Sequence, residues 1–426
     1  MKRFFAVLAA VSLISAPTAA QFNQCGFGVC PSAVVSGGGG PSSIGRGQVA
    51  ARVGLHGRIV FEGDSITAGS SGPTYVQFAL TQSGGRLFAP AGYNQATGGQ
   101  TAAQMAGQVA AVTGLAPKVV VYLSGTNDLS GTADTPATIF ANQRTAVNAY
   151  KAAGAVVVFV GTLPRNDATW LALSGARQAD RTTLLNLQRA QSDVRFVDLE
   201  ASFNPTTMTV DGLHPNYLGA ITIGTAVGNA IAAATIETSV LVGYDTAANF
   251  LVGAAENPTF TGTGGSGSGT PTPTGTIPTN WVVSQNDALT VVSSVTTLNG
   301  RPAVRLQVSG TNSTSGRVVN LQNTVTYPGQ AGEFWEMWWD FSLASGSANL
   351  RAISASTDTA AMPNVSSPEV YPTNAVAGVL RPPMNAALAG VDTTVTIQGT
   401  LVFAAGVVAA DITWAAPFYR RVPSGQ

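Results

Sequence analysis

Apolar positions in the first half of the chain fall into short runs separated by longer amphipathic stretches. Runs at 59–61, 119–123, 156–160 and 194–197, with a weaker one near 87–93, are rich in Val, Ile and Phe and predict five strands. Unbroken apolar runs of this length fit strands covered on both faces. The intervening stretches 75–81, 101–112, 136–153 and 168–191 predict helices, and 217–234 predicts a last one. Within 136–153, Phe140, Val147 and Tyr150 recur at helical spacing and mark a face turned to the core. Strand–helix alternation of this kind predicts an α/β domain of three layers, α/β/α and flavodoxin-like, around a five-stranded parallel sheet. In such sheets the chemistry gathers beyond the carboxyl ends of the strands.

Beyond about residue 237 the period changes to two. Val304, Leu306 and Val308 alternate with Arg305 and Gln307, and Trp335, Met337, Trp339 and Phe341 alternate with Glu336, Trp338 and Asp340. Val395, Ile397 and the run 401–403 continue this pattern, and Gly, Pro, Asn and Ser separate the segments. Short alternating strands between turn residues predict an all-β antiparallel sandwich over residues 245–426. The Gly/Thr/Ser/Pro-rich run within 261–279 reads as a loop or linker. Trp335 and Trp339 share the apolar face and are expected in the core. Trp338 and Phe334 project to the opposite face and are the candidates for stacking on a sugar.

At the end of the first predicted strand the chain reads Glu62-Gly63-Asp64-Ser65-Ile66-Thr67. Gly63 permits a tight turn, and Ser65 falls where a strand gives way to a helix, with its N–H unpaired beside its hydroxyl. Asp64-Ser65 also suits a plain helix cap. A serine hydroxyl becomes a useful nucleophile only beside a base, usually a histidine oriented by a carboxylate. The chain has two histidines, His56 and His214. His56 precedes the strand that Ser65 follows, and an extended chain would separate them by up to roughly 30 Å. His214 lies in Val210-Asp211-Gly212-Leu213-His214-Pro215, where Asp211 can reach Nδ1 across a single turn while Nε2 faces the serine. Arg165, Asn166 and Asp167 follow the fourth strand at the same sheet edge and are candidate substrate contacts.

Four segments in order, Gly63-Asp64-Ser65, Asn94-Gln95-Ala96-Thr97-Gly98-Gly99, Gly125-Thr126-Asn127-Asp128 and Asp211-x-x-His214, resemble the sequence blocks of the SGNH (GDSL-type) hydrolases. The resemblance spans about residues 55–235. It departs from the family at Ala96, where a glycine is common. The resemblance implies Ser65 as nucleophile, His214 as base and Asp211 as the acid that orients it. It further implies an oxyanion hole made by the N–H groups of Ser65 and Gly99 and the side-chain amide of Asn127, with Gly98 as the alternative glycine. Asp64 and Asp128 are expected to brace their loops rather than to move protons. In the second half, Asn257-Pro258-Thr259-Phe260 and Pro278-Thr279-Asn280-Trp281 loosely resemble the opening of a jelly-roll carbohydrate-binding module.

Residues 1–20 carry Lys2 and Arg3 ahead of an apolar run and small residues at 18–20, the pattern of a secretory signal cleaved near Ala20. A Gly-rich tail at 21–54 then leads to a hydrolase domain at 55–240. The chain carries 21 basic and 21 acidic residues, so removing Lys2 and Arg3 leaves 19 against 21, a balance that attracts neither nucleic acid nor an anionic membrane. No segment reads as a convincing membrane span. Cys25 and Cys30 are near enough in sequence for a local disulfide. The residue pattern implies no metal and no organic cofactor. Together these features predict a secreted or periplasmic serine esterase acting on short acyl groups of a polysaccharide. The alternatives are a lipolytic esterase or thioesterase, or a surface carbohydrate-binding or adhesin protein on a hydrolase scaffold.

Overall fold

A computed structural model describes residues 57–83, 87–88, 92–234, 257, 259–326, 334–357, 364–366, 375–380 and 394–422. The expected leader at residues 1–20, Cys25, Cys30, the Gly-rich tail and His56 lie outside the described residues.

Strands β1 (Gly57–Glu62), β2 (Leu87–Phe88), β3 (Val119–Leu123), β4 (Val156–Val160) and β5 (Arg195–Val197) form a parallel sheet of order β2-β1-β3-β4-β5. The five-stranded α/β expectation is met. β2 is shorter than the predicted run, and Asn94 then resumes the pairing through an isolated bridge to Phe61. In β3 every residue is buried, as expected for a strand covered on both faces.

The helices are α1 (Ser65–Ala68), α2 (Val76–Gln82), α3 (Ala102–Gly107), α4 (Val109–Gly114), α5 (Thr126–Gly131), α6 (Pro136–Ala152), α7 (Ala168–Leu171), α8 (Gly175–Arg189), α9 (Pro205–Met208) and α10 (Tyr217–Ala234). Two predicted long helices are interrupted. The 101–112 stretch breaks at Gln108, and the 168–191 stretch breaks before Ser174, whose hydroxyl accepts the N–H of Arg177 and caps a new helix. On α6, Val147 and Tyr150 are fully buried and Phe140 is half-buried. By length and composition α10 could cross a membrane, yet Ile223, Val227 and Ile231 on it are fully buried in the core of this fold.

The second half is a two-sheet sandwich. Its strands are β6 (Ser266–Ser268), β7 (Thr274–Gly275), β8 (Val282–Gln285), β9 (Leu289–Leu298), β10 (Arg301–Asn312), β11 (Arg317–Thr326), β12 (Phe334–Leu343), β13 (Leu350–Thr357), β14 (Asn364–Ser366), β15 (Val376–Leu380), β16 (Thr394–Phe403), β17 (Gly406–Ala415) and β18 (Phe418–Val422). One sheet runs β15-β12-β17-β10-β9-β7 with β18 added on β12, and the other runs β14-β13-β16-β11-β8-β6. The Gly/Thr-rich run supplies β6 and β7, which pair parallel with β8 and β9. A stretch that reads as a loop or linker thus adds an edge strand to each sheet. Its small residues offered no alternating signal. Between the sheets Trp339 packs between Trp281 and Trp414, with ring centroids 5.9 and 5.1 Å away and the rings tilted to one another, and its indole N–H donates to the Ala415 carbonyl at 2.6 Å. Trp339 is core, as expected. The side chains of Phe334, Trp335 and Trp338 lie outside the described residues.

Candidate active site

Ser65 is the first residue of α1 and is presented by a turn that only glycine fits. A Cβ on Gly63 would lie 2.3 Å from Thr67 Oγ1 and 3.1 Å from the Leu123 carbonyl oxygen. Asp64 is the cap, its carboxylate accepting the Ile66 N–H at 3.0 Å. Asp64 therefore supplies the helix cap, and the Ser65 hydroxyl is left to His214. Burial pushes the Asp64 carboxyl up to about 7, against the opposing pull of the Ile66 N–H and His214.

His214 reaches Ser65 from the far end of the sheet. Its Nε2 lies 2.9 Å from Ser65 Oγ, and its Nδ1 lies 2.7 Å from Asp211 Oδ2. The other Asp211 oxygen accepts the N–H groups of Leu213 at 3.0 Å and of His214 at 2.8 Å. One carboxylate thereby fixes both the loop and the ring. Partial burial works against the Asp211 charge, but the imidazole and the two N–H donors outweigh it and hold the carboxyl below its ordinary range. The loop is closed by Val210 N–H donating to the His214 carbonyl at 2.9 Å and tied to the β4 loop by Asn166 N–H donating to Gly212 at 2.9 Å.

The 94–100 segment runs beside the end of β1, with Gln95 N–H on the Phe61 carbonyl at 2.8 Å and Thr97 N–H on the Gly63 carbonyl at 3.1 Å. This brings Gly98 to Ser65, a Cβ built on it falling 3.8 Å from Ser65 Cβ. Gly99 follows with φ +81° and open space on its side-chain face. Asn127, at the start of α5, donates one amide N–H to the Gln100 carbonyl at 2.8 Å. That bond fixes the amide plane and uses one of its two hydrogens. Asp128, one residue on, accepts the Ala102 N–H with both oxygens at 3.1 and 3.0 Å and so locks α5 to α3. Asp64 and Asp128 brace loops, as expected.

Arg165 departs from expectation. Its guanidinium is turned inward, bonding the Asp167 carboxylate at 2.7 and 2.9 Å, the Thr126 carbonyl at 3.0 Å and Ser130 Oγ at 3.1 Å. With 8% of its surface exposed it holds the Asn127 loop from behind rather than reaching outward to a substrate. A fixed planar donor set favours this bridging role.

Several supports escaped the sequence reading. Gln143 donates to the Ser124 carbonyl at 3.2 Å, and Gln188 joins Gln143 to Thr162 at 3.2 and 2.9 Å, a buried network under the ends of β3 and β4. Arg177 donates to the carbonyls of Asp128, Leu129, Thr132 and Asp134 at the end of α5. The signal for Gln143 was present, since it sits one turn from Val147 on the apolar face of α6. Arg177 had none, because the partners that tie it to the end of α5 are backbone carbonyls.

A doubly wound sheet that presents a serine hydroxyl in line with an imidazole and a carboxylate is the arrangement of a hydrolase. Residues 61–220 match the model of the GDSL-like Lipase/Acylhydrolase family, and this part of the chain is a GDSL-like acylhydrolase domain, of the carboxylic ester hydrolase class. Among solved structures it is similar to a putative acylhydrolase from Bacteroides fragilis, with 24% identity over 46% of this chain and 99% of that one and a TM-score of 0.35. A GDSL-like lipase from Bacteroides thetaiotaomicron is 22% identical over 44% of this chain and 96% of that one, with a TM-score of 0.34. A catalytic mutant of an acetylxylan esterase from Geobacillus stearothermophilus is 16% identical over 42% and 96%, with a TM-score of 0.34. No curated protein matches the sequence.

Proposed function

We propose that the protein is an exported serine esterase that removes short acyl groups, acetyl above all, from a carbohydrate. The observation that supports this most is the chain of hydrogen bonds Asp211–His214–Ser65, at 2.7 and 2.9 Å. With Asp211 accepting at Nδ1, the neutral imidazole is left with Nε2 as an acceptor for the serine proton. Ser65 Oγ attacks the ester carbonyl carbon as its proton passes to His214 Nε2. The oxyanion is met by the N–H groups of Ser65 and Gly99 and by the second amide hydrogen of Asn127. As the intermediate collapses, His214 returns the proton to the leaving alcohol. Water, activated by the same imidazole, then attacks the acyl-enzyme and releases the acid.

The preference for small acyl groups is supported by what surrounds the site. On the described loops after β1, β3, β4 and β5, only Leu171 and Val210 are large exposed apolar side chains, too little surface to hold a long hydrocarbon tail. Export rests on the leader-like first 20 residues, and the carbohydrate on the aromatic positions of the β-sandwich.

The test is hydrolysis of p-nitrophenyl acetate by the full chain beside Ser65→Ala, followed by acetate release from acetylated xylan. The variant is expected to lose about 10³-fold or more in kcat, and activity should fall steeply beyond butyrate esters. Equal turnover by both proteins would overturn the serine mechanism, and a preference for octanoate would overturn the acyl assignment. Asn127→Ala, which removes one oxyanion donor, is expected to lower kcat by about 10²–10³-fold with KM little changed, measured on the same ester.

A further inference from the structure

The β-sandwich is built onto the two helices that leave the catalytic loops. In β15, Gly378 presses against α2 so closely that a Cβ would lie 2.3 Å from Thr81 Cγ2 and 2.8 Å from the Thr81 carbonyl oxygen. Beside it the Gln82 side-chain amide donates to the Ala377 carbonyl. From α10, the Tyr217 hydroxyl donates to the Arg351 carbonyl of β13 at 3.3 Å, while its ring meets Phe78 of α2 edge-on at 6.3 Å. The two helices are themselves in close backbone contact, since a Cβ on Gly224 would fall 2.4 Å from Phe78 Cβ and one on Gly228 would fall 2.6 Å from Gln82 Cβ. Buried apolar side chains run without a gap from Phe78 and Ile223 through Val376 to Trp339. A module swinging on a tether would show none of this.

Each helix is fastened to one half of the catalytic pair. Tyr75, which opens α2, places its hydroxyl 3.2 Å from Thr67 Oγ1 in the helix that Ser65 begins, and Thr74 Oγ1 donates to the Thr67 carbonyl at 2.8 Å. At the other end α10 starts just after His214, and the Pro215 carbonyl oxygen would stand 2.3 Å from a Cβ on Gly72. Ser65 and His214 are 149 residues apart in sequence and meet across one hydrogen bond. Besides the Asn166–Gly212 bond that ties the His214 loop to the β4 loop, their separation depends on how α2 and α10 are held together.

We propose that the β-sandwich is a positioning element of the esterase site, clamping α2 and α10 so that the Ser65 and His214 loops stay in register. The inference rests on the serine-esterase reading above. A misplacement of about 1 Å between reacting groups can cost on the order of 10²-fold in rate, so a small shift of this clamp is enough to be felt.

The experiment is steady-state hydrolysis of p-nitrophenyl acetate by the full chain carrying Gly378→Ala, Gly378→Val, Tyr217→Phe or Gln82→Ala, with thermal melts to establish folding. This substrate is too small to need a remote glycan site. The expected result is a graded fall in kcat, about tenfold or more for Gly378→Val and a few-fold for Tyr217→Phe, with KM within twofold of the parent. The rate of labelling of Ser65 by a fluorophosphonate should fall in parallel. A folded Gly378→Val with unchanged kcat and labelling overturns the proposal. Where Gly378→Val does not fold, Tyr217→Phe and Gln82→Ala decide, and unchanged kcat in both overturns it equally. An inert, unlabelled parent chain would instead remove the esterase reading, which separates the two failures.

Discussion

Replacing His214 with alanine is expected to lower kcat on acetate esters by about 10⁴-fold or more while the protein stays folded. The imidazole is the group 2.9 Å from Ser65 Oγ, so without it the hydroxyl has no acceptor for its proton as the carbonyl is attacked. Its contribution to the fold is small by comparison, since the loop is closed by backbone bonds and by Asp211 on the main chain. Asp211→Asn separates orientation from scaffolding. The asparagine oxygen can still accept the N–H groups of Leu213 and His214, but an NH₂ in place of Oδ2 cannot accept from Nδ1. The ring is then driven to the tautomer that presents N–H to the serine, and kcat should fall by about 10⁴-fold at neutral pH. Because the residues act as one unit, Ser65→Ala/His214→Ala should be little worse than either single change. Steady-state kinetics of the four proteins, with melting curves, check this. A double variant whose losses multiply would show that Ser65 and His214 act independently.

The residues of the candidate site could be read from the sequence because each lies at a change of period. Ser65 ends an apolar run, Asn127 follows another, and His214 is the one histidine placed beyond the sheet rather than before it. A parallel sheet turns such positions into neighbours whatever their separation along the chain. The elements that hold those residues were harder to read, for different reasons. Arg165 looks like a surface cation in a polar loop, and only the fold shows that its guanidinium is consumed by Thr126, Ser130 and Asp167. The breaks at Gln108 and before Ser174 are local competitions between helix propagation and capping that composition does not decide. β6 and β7 come from Gly, Ser and Thr, whose side chains are too small to mark an inside and an outside. The placement of the β-sandwich on α2 and α10 depends on glycines at 224, 228 and 378, which the sequence presents as weak points in a helix and a strand.

Glu62 should make the protein measurably less stable at pH 8 than at pH 5. It pairs in register with Tyr122 of β3 on the face covered by α6, and none of its surface is exposed. Among the described residues neither carboxyl oxygen has a hydrogen-bond partner, and neither has the Tyr150 hydroxyl. Burial pushes the Glu62 carboxyl up from 4.5 to about 8. Between those values the folded chain keeps a proton that the unfolded chain has released, so stability falls as pH rises and levels off once both states are ionised. At about 1.36 kcal/mol per pH unit, the loss between pH 5 and pH 8 is on the order of 4 kcal/mol. Asp64, raised to about 7 by burial, adds a loss of the same sign that Glu62→Gln does not touch. Glu62→Gln keeps the shape and removes the titration, so urea unfolding should show the variant losing less stability than the parent between pH 5 and pH 8, by roughly 3–4 kcal/mol. Aspartates held below their ordinary range, such as Asp211 and Asp167, lose their contribution as pH falls, but they do so in both proteins and cancel in the difference. Parallel pH curves for parent and variant would mean that Glu62 is already ionised in the fold. Curves that converge at pH 5 and part toward pH 8 would show that the strand leading to Ser65 carries a proton it cannot release without cost.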